Sequence, residues 1–385
     1  MARLVSVSDL RGAARLATRA TLGATDVVEA MHTAVKRPSG IAGFVYRTTR
    51  GAARRVGDVV DAGLALVDRG RTSEAPVREA VVAALNGALG DSLAAQGNPL
   101  ATPLQLRHEG RRLNLDAIGA DVADPRPSIL LQAHGICTYE GQWGRGGHDP
   151  GAEWAEAIAG TRLAVRYNTG RHISENGRDL AALLASLLDA WPVPVERLVV
   201  VGHSMGGLVA RSALSYLPEG AALPPDTALV TLGSPHHGAP LERLGALVES
   251  ALGAARYTSP LVAIGQTRSA GVTDLRYGNL RDEDWADRDR FARGPDDRQP
   301  VAVPEGVALY LAAATLGDGR GGLRDLTVGD GLVPLDSALG VHPDPDRTLA
   351  VPPGHRWTLP GASHLDLLWQ LEVTEQVRAW LVGAP

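Results

Sequence analysis

The stretch that decides the fold runs Leu198-Val-Val-Val-Gly-His-Ser-Met-Gly-Gly-Leu-Val-Ala-Arg211. Its opening apolar residues predict a buried strand, and the apolar spacing from Leu208 onward predicts a helix. Between them, Gly202-His-Ser-Met-Gly206 matches the Gly-x-Ser-x-Gly turn, where small residues let the chain bend sharply and expose the serine. The pattern predicts a strained turn that presents Ser204 as a nucleophile; the alternative is a glycine-rich turn with an idle serine.

Outward from this turn, short apolar strands alternate with helices. Such alternation predicts an α/β fold, a doubly wound and mostly parallel sheet with helices on both faces. A hairpin around Glu109-Gly110 precedes it. The predicted strands are Ser128–Ala133, Leu163–Tyr167, Arg197–Val201, Ala228–Leu232, Val307–Ala314 and Arg356–Leu359, and the helices are Trp154–Ala159, Gly177–Ala190, Gly206–Tyr216 and Leu365–Val382.

A serine hydroxyl needs a histidine base, and the histidine needs a carboxylate that fixes its tautomer. In this kind of sheet the acid and then the histidine follow the serine along the chain. Asp330 is the preferred acid because its Asp-Gly turn leads into an apolar segment, and Asp318 is the alternative. His364, between the last strand and the last helix, is the preferred base, because His355 precedes that strand and should lie at its opposite end.

The oxyanion that forms during attack on an ester carbonyl requires two backbone N–H donors. Met205, directly after the serine, supplies one of them. The His134-Gly135 turn that ends a buried strand offers the other through Ile136, or alternatively through Cys137. No cofactor and no metal are predicted, since the adjacent His236-His237 pair lacks a third ligand at regular spacing.

Five motifs together resemble those of the α/β-hydrolase-fold serine lipases and esterases, in particular the bacterial lipases and the PGAP-like group. They are His134-Gly-Ile136, Gly202-His-Ser-Met-Gly-Gly207, Leu232-Gly-Ser-Pro-His-His-Gly-Ala-Pro240, Asp330-Gly-Leu-Val333 and His364-Leu-Asp366. The resemblance spans about residues 105–385. It implies ester hydrolysis through an acyl-serine intermediate, a catalytic triad and an oxyanion hole. It also implies a mobile helical cap at about 240–300. In those lipases the aspartate two places after the histidine can ligate a structural calcium; Asp366 occupies that place, but no further oxygen ligands are identified, so no metal is predicted.

The charge distribution divides the 385-residue chain. Residues 1–56 carry ten basic and three acidic residues, whereas the whole chain has a net charge of −5. We therefore expect a helical N-terminal extension at 1–100 and a catalytic domain at 101–385. The helices predicted in the extension are Thr25–Val35, Ile41–Val67 and Val77–Leu93, the last opened by Pro76.

The second of these helices carries a basic face that would meet anionic lipid as a peripheral contact, or else pack as a solvated face on the acidic body. It consists of Arg47, Arg50, Arg54 and Arg55. The expected substrate is an ester or a lipid; the alternatives are an acyltransferase with the same triad and a membrane-surface binding protein with a secondary hydrolase body. Neither a signal peptide, a transmembrane run nor a nucleic-acid motif is recognised, so we expect a cytoplasmic protein, peripheral to the membrane if the basic face binds lipid.

Overall fold

The computed structural model describes residues 8–19, 76–217, 223–240, 268–290, 296–319 and 328–383. The predicted helices Thr25–Val35 and Ile41–Val67, with the basic face, lie outside the described residues, as does much of the predicted cap. No helix among the described residues has the length and apolar character needed to cross a membrane.

The centre of the molecule is an eight-stranded sheet in the order β2-β1-β4-β3-β5-β6-β7-β8. The strands are β1 (Gln105–His108), β2 (Arg111–Arg112), β3 (Ser128–Ala133), β4 (Thr161–Arg166), β5 (Arg197–His203), β6 (Asp226–Leu232), β7 (Val307–Thr315) and β8 (Arg356–Pro360). Strands β3 to β8 run parallel, and β1 is antiparallel to both β2 and β4. The predicted hairpin is confirmed, with Glu109 and Gly110 both at positive φ in its turn.

Helices cover both faces of this sheet. They are α1 (residues 8–19), α2 (Pro76–Ala95), α3 (Ile118–Asp121), α4 (Pro150–Ala157), α5 (Ile173–Ala190), α6 (Met205–Ser215), α7 (Ala270–Asp274), α8 (Leu335–Ala338) and α9 (Leu371–Val382). Ile129, Leu131 and Val200 pack with α2, α5 and α6 on one face, while Leu130 and Val199 pack with α4 and α9 on the other. Because neighbouring strand residues point to opposite faces, both faces of the central strands are buried, as the doubly wound prediction requires.

Helix α2 lies inside the first 100 residues, yet it packs directly on the sheet domain. A Cβ added at Gly87 would lie 2.2 Å from the Sγ of Cys137, and one added at Gly90 would lie 1.8 Å from the Oδ1 of Asn168. The Asn168 side chain also donates to the Gly90 carbonyl at 2.8 Å. The two glycines therefore let α2 approach the loops that follow β3 and β4.

Ion pairs extend this contact to α1. Arg78 of α2 binds Asp9 of α1 at 2.6 Å, and its neighbour Glu79 pairs with Arg166 of β4. Arg166 also binds Glu140 at 2.5 Å, and all these side chains are at most 14% exposed. Partly buried, multiply paired charges of this kind fix orientation more than they add stability. They join α1 and α2 to the end of β4 and to the loop after β3.

The end of the chain differs from the expected single helix Leu365–Val382. The structure has a 3-10 turn at His364–Leu368 and then α9, with Gln370 in an extended conformation between them. The carboxylate of Asp366 accepts hydrogen bonds from both the N–H and the hydroxyl of Ser363, at 2.8 and 2.6 Å. This pairing is a capping box that stabilises the start of the 3-10 turn holding His364. The extended Gln370 then makes α9 a separate helix.

The close approach of α2 can be tested at its glycines. We expect Gly90→Ala to lower the free energy of unfolding by about 1–3 kcal/mol, because Asn168 and Gly170 must move to admit the methyl group. Gly119→Ala is the matched control, since nothing lies within 4 Å of its added Cβ. Urea unfolding followed by circular dichroism measures both variants. Equal stabilities would contradict the packing of α2 on the domain.

Candidate active site

Ser204 occupies the turn between β5 and α6 in a backbone conformation that L-residues rarely adopt. Its φ is 53° and its ψ is −122°, a combination whose strain costs about 1–3 kcal/mol. The N–H of Ser204 donates to the carbonyl of Leu232, at the end of the neighbouring strand β6, at 2.8 Å. The sheet thus holds the serine in the conformation that the Gly-x-Ser-x-Gly pattern predicts.

The flanking glycines are required by close contacts across this turn. A Cβ at Gly202 would lie 2.4 Å from the backbone nitrogen of Gly207, and one at Gly206 would lie 2.1 Å from the carbonyl oxygen of Ala133. Real Cβ atoms do not approach backbone atoms this closely. Any larger residue at either position would push α6 away from β3 and β5.

Asp330 and His364 meet at the same edge of the sheet. The Nδ1–H of His364 donates to Oδ2 of Asp330 at 2.6 Å, and the His364 N–H donates to the Asp330 carbonyl at 3.0 Å. The other carboxylate oxygen, Oδ1, accepts from the N–H groups of Leu332 and Val333 at 2.9 and 2.8 Å. Both side chains are almost fully buried. This arrangement fixes the proton of His364 on Nδ1 and leaves Nε2 as the basic nitrogen.

His203 is a residue of the site that sequence reasoning missed. Its Nε2–H donates to the carbonyl of His364 at 3.2 Å, and the two ring centroids are 4.8 Å apart. Burial and the nearby His364 lower the pKa of His203 to about 3, so this ring stays neutral. It precedes the serine in the turn, where the motif allows any residue, so only the fold reveals its contact.

Ser204 and His364 are therefore neighbours at one edge, but the hydrogen bond between them is not formed. Within the described residues, neither the Oγ of Ser204 nor the Nε2 of His364 has a hydrogen-bond partner. Catalytic hydrogen bonds are often long or misaligned in an enzyme without substrate, and they tighten when substrate binds. Both atoms remain available for one another and for a substrate.

Two backbone N–H groups beside the serine are also available. Met205 is the first residue of α6, so its N–H has no acceptor within the helix. The N–H of Ile136 has no acceptor in the described part of the chain, whereas that of Cys137 donates to the Thr169 hydroxyl at 3.3 Å. The geometry favours Ile136 over Cys137 as the second donor.

The loop that carries Ile136 lies against the serine. A Cβ at Gly135 would lie 3.1 Å from the Cβ of Ser204, which explains the glycine at that position. His134 stacks on Tyr167 with ring centroids 4.4 Å apart, and burial lowers its pKa to about 4. Burial raises the pKa of Cys137 to about 12. These two residues therefore support the loop, and the buried thiol is not a reactive nucleophile.

The alternative site residues lie elsewhere. His355 precedes β8 and its Nδ1 hydrogen-bonds to the carbonyl of Leu309 near the start of β7, at the end of the sheet away from Ser204. Asp318 is exposed just after β7. Asp330 comes later in the chain, and its segment is joined to the end of β7 by a hydrogen bond from Leu316 N–H to the Gly329 carbonyl at 2.8 Å.

A calcium at Asp366 does not fit the residues that the structure describes. One oxygen of its carboxylate is already used by the N–H and hydroxyl of Ser363. No group of three or more His, Cys, Asp or Glu side chains in the described ranges could hold a metal ion. Calcium needs six to eight oxygen ligands, which this neighbourhood does not provide.

A doubly wound, mostly parallel sheet with a strained serine turn after β5 and a hydrogen-bonded aspartate and histidine after β7 and β8 is the arrangement of the α/β-hydrolase fold. Residues 167–280 match the PGAP1-like alpha/beta domain family. The match contains the Ser204 turn and the His236-His237 loop and ends before Asp330. The predicted resemblance to the PGAP-like group is thus confirmed for this segment. No curated protein matches the sequence.

The chain is similar to several solved lipases and esterases. The mature Bacillus licheniformis lipase BlEst2 is 20% identical, with 68% of this chain and 95% of the lipase covered and a TM-score of 0.44. Its propeptide form is 18% identical, with 68% and 52% covered and a TM-score of 0.45. The Pyrococcus furiosus esterase Pf2001 is 15% identical, with 66% and 78% covered and a TM-score of 0.36.

The choice between the two candidate acids can be tested directly. In Asp330→Asn, the side-chain carbonyl would keep the N–H groups of Leu332 and Val333, so the NH₂ group would face His364 and force its proton onto Nε2. We expect kcat to fall by about 10³- to 10⁴-fold, because that tautomer cannot accept the serine proton. Asp318→Asn, at an exposed position, should change kcat less than about threefold.

Steady-state hydrolysis of p-nitrophenyl butyrate measures both variants, with circular dichroism to verify folding. A large loss in Asp318→Asn together with an active Asp330→Asn would reverse the assignment.

Proposed function

We propose that this chain is a carboxylic-ester hydrolase that works through an acyl intermediate on Ser204. The observation that carries the proposal is the 2.6 Å hydrogen bond between Asp330 and Nδ1 of His364, made at the sheet edge where Ser204 stands in its strained turn. A buried histidine with its proton fixed on Nδ1 is a competent base for a neighbouring hydroxyl. The three residues form the catalytic triad in this proposal.

In the acylation step, Nε2 of His364 takes the proton of the Ser204 hydroxyl while Oγ attacks the ester carbonyl carbon. Asp330 stabilises the imidazolium that forms, and it keeps the ring in place without itself accepting the proton. The imidazolium then gives its proton to the leaving alcohol as the ester C–O bond breaks. The products of this step are the free alcohol and an ester between the acyl group and Ser204.

The negative charge on the carbonyl oxygen is bound by the N–H groups of Met205 and Ile136. Both donors are backbone groups fixed by α6 and by the loop after β3, so they need little reorganisation as charge develops. In deacylation, His364 removes a proton from water, the hydroxide oxygen attacks the acyl carbon, and the proton passes to the Oγ of Ser204. The acid is released and the enzyme returns to its starting state.

The substrate is an ester or lipid. Its acyl length and its alcohol group are selected by residues other than Ser204, Asp330 and His364. An alcohol in place of water would take the acyl group by the same steps and make the protein an acyltransferase. Chromatography of the products formed with a competing alcohol separates these outcomes: free acid indicates hydrolysis, and a new ester indicates transfer.

The proposal includes contact with anionic lipid. The basic face, which consists of Arg47, Arg50, Arg54 and Arg55, would bring the enzyme to a lipid surface. Co-sedimentation of the full chain with phosphatidylserine vesicles, against a variant in which these four arginines are glutamine, measures this contact. Equal sedimentation of the two proteins would remove it from the proposal.

The nucleophile assignment predicts selective covalent labelling. A fluorophosphonate probe should label the wild-type chain and should fail to label Ser204→Ala, because the probe reacts only with an activated serine oxygen. Ser186→Ala, which removes an exposed hydroxyl on α5, is the control and should label like the wild type. In-gel fluorescence gives the readout. Equal labelling of Ser204→Ala and the wild type would sink the proposal.

A further inference from the structure

A cavity lies apart from the proposed active site. Its volume is about 530 Å³, and none of Ser204, Asp330 and His364 lines it. It is bounded by α6, the loop after β6, the start of β7 and the segment that precedes β8. Its apolar walls are formed by Leu280, Val301, Val303, Leu309, Leu349 and Val351. Its polar lining includes Arg211, His236 and His237.

Arg211 of α6 is the unusual group in this lining. The residue is only 5% exposed. Its Nη1 donates to Nδ1 of His236 at 3.1 Å and its Nη2 donates to the carbonyl of Val301 at 2.7 Å, while Nε is buried without a partner. No carboxylate of the described residues forms an ion pair with it. A buried guanidinium ordinarily has an anionic partner, because an unpaired buried charge is costly.

Two acidic groups nearby, Asp296 and Asp284, are already occupied, and the exposed Asp346 of the cavity lining forms no ion pair with Arg211 among the described residues. Asp296 binds Arg298 through both oxygens, at 2.7 and 2.8 Å, and it also binds Arg347 at 3.1 Å. Asp284 accepts from the backbone N–H groups of Leu280 and Arg281. Arg298 is the charged neighbour that acts on Arg211, and together with burial it lowers the pKa of Arg211 to about 10. Arg298 therefore places a second positive charge near Arg211 and does not neutralise the first.

The two histidines of the loop after β6 do not supply a charge either. Burial and Arg211 hold the pKa of His236 well below its usual value, so that its Nδ1 accepts from Arg211 and its Nε2–H donates to the Thr231 hydroxyl at 3.1 Å. Burial lowers the pKa of His237 to about 4, and its Nε2 is buried without a partner. Two residues that line the cavity, Arg211 and His237, therefore each have a buried nitrogen atom without a hydrogen-bond partner.

We propose that this cavity binds a small amphipathic ligand whose oxyanion group pairs with Arg211 and whose apolar part contacts the surrounding Leu and Val side chains. Carboxylate and phosphate share the chemistry that a guanidinium recognises, namely a charged oxygen that accepts its N–H groups. The site is separate from Ser204, so it would bind its ligand whether or not ester hydrolysis is the activity of this chain.

Calorimetric titration of the full chain at constant ionic strength tests the proposal. Hexyl phosphate, hexanoate and the neutral hexanol have apolar chains of five or six carbons and differ mainly in the head group. We expect one-to-one binding of at least one anion, tighter than that of hexanol, and the stronger of the two anions identifies the head group. Binding of neither anion at millimolar concentration would overturn the proposal.

A pair of variants locates the binding. Arg211→Met keeps an unbranched apolar side chain in place of the arginine's aliphatic stem and removes the charge, and it should weaken anion binding at least tenfold. Arg126→Met removes an exposed arginine whose one ion pair among the described residues is with the exposed Asp124, and it should bind like the wild type. Unchanged affinity in Arg211→Met would place the anion elsewhere, for example beside Ser204, and would contradict the assignment.

If Arg211→Met does not fold, the proposal is tested by the midpoint temperature of thermal unfolding of the wild-type chain. Hexyl phosphate or hexanoate should raise the midpoint more than sodium chloride of equal ionic strength and more than hexanol, since a ligand that binds only the folded state stabilises it. Equal midpoints in all four solutions would overturn the proposal.

Discussion

The strained backbone of Ser204 is the constraint on which the site depends. Its positive φ is unfavourable for an L-residue, and the turn persists because the sheet and α6 determine it from both sides. The Ser204 N–H is held by the carbonyl of Leu232, and Gly202 and Gly206 allow backbone to lie against backbone. A consequence of the same close packing is that β3, β5 and α6 must keep their spacing, so the loop after β3 reaches the serine with Gly135 and Ile136.

The other side of the site rests on hydrogen bonds between loops. His364 is linked to Asp330 through both its ring and its backbone N–H, and its carbonyl accepts from the ring of His203. Asp330 is in turn linked to the end of β7 through Gly329 and Leu316. The loops after β7 and β8 are thereby joined to each other and to the end of β5. This is the advantage of a parallel sheet, whose strand ends all lie at one edge.

Local sequence predicted the strands of the sheet domain well, for identifiable reasons. Ser128–Ala133 is an apolar run between Pro127 and the His134-Gly135 turn, and its bounds in the structure are the predicted ones. The order of Ser204, Asp330 and His364 along the chain followed from the resemblance to a known arrangement of loops. The structure brings all three to the same edge.

Contacts between distant segments were not predictable in the same way. The approach of α2 to Cys137 and Asn168 depends on the absence of side chains at Gly87 and Gly90. A glycine in a helical sequence does not indicate which residue will pack against it. The break before α9 falls at Gln370, whose extended backbone separates the capped 3-10 turn at His364–Leu368 from the helix. The roles of His203 and Arg211 depend on which groups surround them after folding. The periodicity of apolar residues predicts which side chains are buried, but it does not predict which groups they contact.

The most direct test of the central claim is to trap the acyl intermediate. The wild-type chain is mixed with excess p-nitrophenyl butyrate, quenched in acid within the first turnovers and digested, and the peptides are sequenced by mass spectrometry. The account predicts one butyryl group on the peptide that contains Ser204, and it predicts an initial burst of p-nitrophenol if deacylation is slower than acylation. A butyryl group on Cys137 or on another serine, with Ser204 unmodified while the ester is turned over, would contradict it.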